Sequence, residues 1–518
     1  MPIRIRPDDN QGNYSPRSGG GGGGGIGGGG LLAFLPLLLR LFGRNPKLLL
    51  LIAIIAGGYM LFTKGCGGGS ESQSQKLSLA TGAEFDKVKY AATEIYEPLA
   101  NNKSNPLPES ISLLKYAPTR GNQGQQGSCV AWASAYAARS IMQARATGQD
   151  PNSLIFSPSF LYNQIALDGC QGSYLPEALK VMENKGLASI KDMPYSDDDC
   201  SARPNQYQLQ SASQYKIEGY QRLTGGRQGE DANAVNMLAM KQNLAKGAPV
   251  VIGMMVGGSF MQSMMGKDTW KPSQEDYDMR GFGGHAMCVI GYDDYKFARN
   301  MGGFQIMNSW GSEWGKNGVA WVSYDDFEHF TKEAYGIYPM ADASAPQTNQ
   351  LQAQMAVVLN DNGQRVNLVQ KDAFNFATTA TMKKGAGFKL EIVNNIACYA
   401  YIFGMETDGT SYTLFPYTAK HSPYFGITGS RLFPRDHSFF ADDVGTTDYF
   451  AIVLSAEPLD YDAFVQKLTA AQGNTYANKL LSVLGPSNAG FTLGSNAISI
   501  QTTLSPSTVI GCVVEVKK

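Results

Sequence analysis

From Asn122 the chain reads Asn-Gln-Gly-Gln-Gln-Gly-Ser-Cys-Val-Ala-Trp-Ala, and this stretch restricts the backbone more than any other. Its glycines favour a tight turn and the run after them favours a helix, which puts Cys129 at the first helical residue. A thiol at a helix N-terminus faces unpaired backbone N–H groups and the positive end of the helix dipole, and both favour the thiolate. Gln123, six residues earlier, can bring a side-chain amide to the same point as a donor to a developing oxyanion.

A thiolate nucleophile needs a base to form it and an acid to protonate the leaving group, and one imidazole can do both. The chain has four histidines: His285, His329, His421 and His437. His285 lies in Gly283-Gly-His-Ala-Met-Cys-Val-Ile-Gly-Tyr292, where a glycine pair leaves space around the ring and the apolar run reads as a buried strand. A second strand from Phe304 ends in Asn308-Ser-Trp310. The Asn308 amide oxygen can accept the imidazole N–H and fix the ring, with Trp310 screening that bond from water. His329 falls on a solvated helix face, and His421 and His437 lie far downstream as structural residues. Scattered histidines without a Cys-x-x-Cys pair give no metal site, and no cofactor is expected.

The order Gln123, Cys129, His285, Asn308, with the string Asn-Ser-Trp-Gly-x-x-Trp-Gly-x-x-Gly, resembles the papain-like cysteine proteases from about Leu107 to about Tyr338. The resemblance implies that these four are oxyanion donor, nucleophile, acid/base and imidazole-orienting residue. It implies an α+β fold of two halves. A mainly helical half would hold Cys129–Ala146, Pro158–Ala166 and Leu175–Lys185. A sheet-rich, β-barrel-like half would hold Pro249–Met255, His285–Tyr292, Phe304–Ser309 and Val319–Ser323. Protein or peptide substrate would lie in the cleft between them, along the backbone of Gly172 and Ser173 and against Gly284 and Trp310. The insertion 261–282, with Met264, Met265 and Trp270, could line subsites or fill core.

The departures from the family are local. The family's cysteine three residues before the nucleophile is Gln126 here, and the aromatic after it is Val130. Cys170 and Cys200 match family cysteines whose usual partners are missing; pairing with each other and remaining free thiols both stay open. The family's long inhibitory prosegment finds no room in residues 65–105, so zymogen control of the usual kind is not expected.

Basic and acidic residues balance at 43 and 44, which gives no footing for nucleic acid. Residues 1–30 are polar and glycine-rich and cannot bury a core, so they are expected to be disordered. Residues 31–64 contain two apolar blocks, 31–42 and 48–62, separated by Arg44-Asn-Pro-Lys47. The second is short of the roughly 20 residues that cross a bilayer, but Lys47 and Lys64 can snorkel. Arg40, Arg44 and Lys47 before it predict a single-pass signal anchor with a cytoplasmic N-terminus and the catalytic part exported, in a bacterial envelope.

A tether and a helix over 84–99 occupy 65–105. The peptidase region is 106–340, a linker spans 341–354, and 355–518 reads as an all-β sandwich-like domain with a helix at 461–472. Its hairpin ending Leu-Phe-Pro416 resembles a bacterial domain of unknown function, which implies a binding or spacing role toward an unknown ligand. Two other readings stay open: an amidase or transpeptidase acting on cell-wall peptides, and a catalytically silent binding protein that works through the β domain.

Overall fold

Strand pairing sets this architecture, and each sheet follows from which strand faces are buried. The structure, a computed structural model, describes residues 3–7, 79–100, 106–223, 234–338, 349–485 and 490–518. The expected membrane span at 48–62 lies outside them; among the described residues no helix is long and apolar enough to cross a membrane.

The chain begins with strand β1 (Arg4–Pro7), followed by β2 (Ala83–Glu84) and helix α1 (Lys87–Ala92). Residues 1–30 were expected to carry no order, yet β1 pairs antiparallel with residues 437–440 of the C-terminal domain. The helix expected over 84–99 is confined to α1, capped by Asp86 through Val88 N and Lys89 N. Beyond it the N–H groups are engaged elsewhere. Ile95 donates to Lys420 O, Tyr96 to Arg222 O and Ala100 to Ser430 O, at 2.7, 3.2 and 2.8 Å.

After β3 (Ser110–Ser112) comes α2, a continuous helix over residues 129–147 whose middle, Trp132–Arg139, widens to a π-helix. Its alanines at 131, 133, 135, 137 and 138 are buried, and their small size lets the helix pass through the core between the sheet and its neighbours. Gly148, left-handed at φ 66°, ends it. Helix α3 (Pro158–Ile165), β4 (Ser173–Tyr174), α4 (Leu175–Asn184) and α5 (Gln206–Ala212) complete the helical half.

The sheet half contains β5 (Gly219–Arg222), α6 (Met237–Ala245), β6 (Val250–Val256), α7 (Gly258–Gln262), β7 (Gly283–Ala298), β8 (Met301–Met307), β9 (Val319–Ser323), α8 (Tyr324–Phe330) and β10 (Thr331–Tyr338). Its order is β5-β10-β6-β7-β8-β9, with β3 on β7. The insertion 261–282 is core filling at Met264 and Trp270, both 1% exposed, whereas Met265 faces solvent.

The C-terminal strands are β11 (Gln350–Leu359), β12 (Leu368–Gln370), β13 (Asn375–Thr378), β14 (Gly387–Asn394), β15 (Cys398–Met405), β16 (Ser411–Phe415), β17 (Tyr424–Phe425), β18 (Gly429–Phe433), β19 (His437–Phe440) and β20 (Thr447–Ser455). Helices α9 (Tyr461–Ala470) and α10 (Tyr476–Leu484) precede β21 (Thr492–Gly494), β22 (Ala497–Thr503) and β23 (Val509–Lys517). One sheet runs β1-β19-β14-β11-β22-β21 and the other β12-β13-β23-β20-β15-β16. Alternation explains the layers. On β15 and β20, Ala400, Ile402, Phe450, Ile452 and Leu454 face the first sheet, while Tyr401, Phe403, Ala451 and Val453 face α9 and α10. Strand β11 starts at Gln350, inside the stretch expected as linker.

Candidate active site

The turn 121–128 and the start of α2 hold Cys129 with its thiol fully buried. Ser128 caps nothing with its side chain; its hydroxyl instead meets the Tyr195 hydroxyl at 2.7 Å. The Tyr195 hydroxyl also donates to Gln123 O at 2.7 Å and lies 3.3 Å from Gln126 Oε1. Gln126, where the family carries a cysteine, thus joins a hydrogen-bonded hub that ties the turn down in place of a covalent staple. Nothing in the sequence pattern around Tyr195 signals this.

Strand β7 brings His285 beside the thiol: the next residue, Ala286, donates its N–H to Cys129 Sγ at 3.4 Å. His285 Nε2 donates to Asn308 Oδ1 at 2.7 Å, and that oxygen also accepts from Ser309 N at 2.7 Å. The Trp310 ring stacks on the imidazole, centroids 4.3 Å apart and planes 19° apart, so the His285–Asn308 bond is shielded from water. His285 Nδ1, the remaining ring nitrogen, is buried with no hydrogen-bond partner among the described residues. The structure therefore gathers Cys129, His285, Asn308 and Trp310 from α2, β7 and the end of β8.

Gln123 joins them. Its Oε1 accepts from Ser309 Oγ at 2.6 Å and its Nε2 donates to Gln126 O at 2.9 Å. Ser309 is a residue that sequence reasoning passed over; the signal was its place inside the Asn-Ser-Trp string. By holding the amide oxygen it settles which end of Gln123 is the donor.

The cleft is not open. Residues 79–86 run along it as a strap, a segment far shorter than the family's long prosegment, for which no room was expected. Gly82 N donates to Gly284 O at 3.1 Å, Ser173 N to Gly82 O at 2.9 Å and Trp310 Nε1 to Ala80 O at 2.8 Å. Strands β2 and β4 pair in parallel, Ala83 opposite Ser173 and Glu84 opposite Tyr174. Gly172, Ser173, Gly284 and Trp310, the residues expected to bind substrate, all meet the strap. Only glycine fits at position 82: its φ is 139°, and a Cβ there would lie 2.3 Å from Gly127 O. The Gly82 carbonyl points to Ser173, so the strap bond at Gly82 is not presented to Gln123.

Closure sets the electrostatics. Burial pushes the Cys129 thiol up to about 12, although the N–H groups of Ala286, Val130 and Cys129 itself pull the other way. Burial draws His285 down to about 4, against the raising effect of its Asn308 bond. The thiolate expected from the helix N-terminus is thus suppressed here: desolvation outweighs the local N–H groups, and thiol and imidazole are both neutral. Cys170 and Cys200 form a disulfide that braces the loop leading to Gly172 and Ser173. Among the described residues no cluster of His, Cys, Asp or Glu is fit to hold a metal.

Residues 109–340 match the Papain family cysteine protease profile. An uncharacterized peptidase C1-like protein of Acanthamoeba polyphaga mimivirus is 28% identical over 225 residues, 42% of this chain and 66% of that protein. Cathepsin K of Mus musculus is 28% identical over 256 residues, 48% of this chain and 69% of its own. The chain thus spans about two thirds of the length of these relatives. Among solved structures, xylellain, a cysteine protease from Xylella fastidiosa, aligns with 52% of this chain and 98% of its own at 22% identity and a TM-score of 0.40. Residues 109–340 of this chain are a papain-family cysteine protease domain.

Proposed function

We propose that the chain is a latent cysteine peptidase that hydrolyses peptide bonds once residues 79–86 leave the cleft. The observation that carries this reading is the ordered set at the site: Cys129 sulfur held by Ala286 N, and His285 oriented by Asn308 with its other nitrogen free. On opening, water reaches the pair and the burial that keeps both neutral is relieved. Cys129 then gives its proton to His285 Nδ1, and the sulfur attacks the scissile carbonyl carbon. The oxyanion is held by Gln123 Nε2 and the Cys129 N–H. The imidazolium returns its proton to the leaving amine as the C–N bond breaks. Water, deprotonated by His285, then cleaves the thioester and restores the thiol.

Attachment at a membrane through residues 48–62 and work outside the cytoplasm belong to the same proposal. The Cys170–Cys200 disulfide supports an oxidising compartment. The test is intact-mass analysis of the full chain after treatment with an epoxide inhibitor of papain-like proteases, beside a Cys129→Ala control. One adduct, absent from the control and accompanied by cleavage of unfolded protein, is expected. A folded chain that takes up no adduct under any opening condition would leave the catalytically silent reading standing.

A further inference from the structure

One hydroxyl touches both arms of the oxyanion hole. Its two donors, Gln123 Nε2 and the Cys129 N–H, lie at either end of the turn that launches α2, and no disulfide ties that turn among the described residues. Tyr195 spans it instead. The phenol donates to Gln123 O at 2.7 Å and meets Ser128 Oγ, beside Cys129, at 2.7 Å. A phenol carries one proton, so with that proton on Gln123 O the Ser128 hydroxyl is the donor to Tyr195. The bonds therefore run in one direction, from Ser128 through Tyr195 to Gln123. Ser128 and Gln123 are both fully buried, so neither can turn to water if the phenol hydroxyl is removed.

The other polar groups of Gln123 are committed as well. Its N–H donates to Ser309 O at 2.8 Å, its Oε1 accepts from Ser309 Oγ at 2.6 Å, and Nε2 donates to Gln126 O at 2.9 Å. An amide nitrogen carries two hydrogens, so among the described residues one Nε2 hydrogen is left for a ligand. Ser309 fixes where the amide oxygen lies, and Tyr195 fixes the backbone that carries the amide.

The tyrosine is set from outside the turn. Ser157 Oγ on the cap of α3 donates to Met193 O at 2.5 Å, and Ser196 N donates to Ser159 Oγ at 3.2 Å. Further along this loop, Asp197 Oδ2 accepts from Gln125 N at 3.1 Å. The Tyr195 ring packs edge-on against Trp132 of α2, centroids 4.8 Å apart. Burial raises the hydroxyl above the ordinary tyrosine range, so it keeps its proton at neutral pH.

We propose that, in the peptidase reading above, Tyr195 is a positioning residue that sets the spacing of the two oxyanion donors. It acts through Gln123 and Ser128 and not on the substrate. The oxyanion exists only in the transition state, so a displaced donor slows bond breaking and leaves peptide binding alone.

The test uses the full chain with Gly82→Val, which cannot seat the strap, with and without Tyr195→Phe, which keeps the ring against Trp132. Peptide cleavage gives kcat and KM, and iodoacetamide labelling of Cys129 is followed by intact mass. That reagent loses iodide from a saturated carbon and builds no oxyanion. Tyr195→Phe is expected to lower kcat about tenfold or more, with KM and the labelling rate unchanged. In a Gln123→Ala background the same substitution should cost clearly less, because only the Cys129 arm remains to be displaced. Ser128→Ala removes the other end of the chain of bonds without touching the ring, is read in the same way, and decides where Tyr195→Phe fails to fold. An unchanged kcat, a loss matched in the labelling rate, or a loss undiminished by Gln123→Ala overturns this assignment alone. Failure of the Gly82→Val chain to cleave any peptide removes the peptidase reading and this assignment with it.

Discussion

Valine at position 82 forces a choice between two pieces of backbone. Its Cβ would lie 2.3 Å from the Gly127 carbonyl oxygen, in a region of φ that side chains rarely adopt. Gly127 belongs to the turn that launches α2, so the strap yields first. Leaving the cleft gives up the β2–β4 pairing and, outside it, three hydrogen bonds: Gly82 N to Gly284 O, Ser173 N to Gly82 O, and Trp310 Nε1 to Ala80 O. At about 1 kcal/mol net for each of these three, closure loses at least about 3 kcal/mol, which raises the open population roughly a hundredfold or more. Epoxide labelling of Cys129, followed by intact mass with the reagent in excess, should accelerate by about the same factor. An unchanged labelling rate in a variant with unaltered circular dichroism and melting would show that the thiol is reached without moving residues 79–86, and the gating argument would fall.

Three further outcomes are expected. In an opened chain, Gln123→Ala should lower kcat about 10²- to 10³-fold with little change in KM, since the amide acts on the oxyanion and not on the bound peptide. Closure should respond to pH in opposite senses at two groups. His285, at about 4 instead of 6.5, contributes stability above pH 6.5 that is lost as pH falls towards 4. Glu333, raised by burial and by the Asp86 carboxylate to about 7 instead of 4.5, contributes stability below pH 4.5 that is lost as pH rises towards 7. With Glu333→Gln only the histidine remains, so amide exchange over residues 79–86, corrected for intrinsic rates, should increase as pH falls from 6.5 to 4.5. Removing the Cys170–Cys200 disulfide, which spans 30 residues, should cost about 3.5 kcal/mol on the chain-entropy account and lower the melting midpoint by about 10 °C, measurable by calorimetry on the double serine variant.

The parts that could be read in the chain were those set by local chemistry. The glycines before Cys129 announced a turn into a helix, the apolar run after His285 announced a buried strand, and Asn308-Ser-Trp310 carried its neighbours with it. The strap could not be read that way, because Thr81–Asp86 has no periodicity and its order comes from Gly127, Ser173 and Gly284, distant in sequence. Residues 84–99 misled for a related reason. Phe85, Val88, Ala92, Ile95 and Leu99 fall on one helical side, yet Ile95, Tyr96 and Ala100 give their N–H groups to three remote carbonyls, and α1 stops at Ala92. Leu99 is pinned further by both ends of the Gln242 amide, at 2.9 and 2.7 Å.

The small strand β1 reaches beyond its size. Arg4–Pro7 lies against His437–Phe440, with the Arg6 guanidinium 3.9 Å over the Phe440 ring and Arg4 Nε 3.3 Å from Asp442. A hydrogen-bonded pair of strands shares one aqueous compartment, and the apolar stretch 31–62 lies between its two partners along the chain. One passage through a bilayer would leave them on opposite shores, so this pairing and the single crossing inferred from flanking charges are mutually exclusive. If the stretch enters a membrane while β1 is paired, it must return to the side it left, held like a hook rather than driven through like a nail.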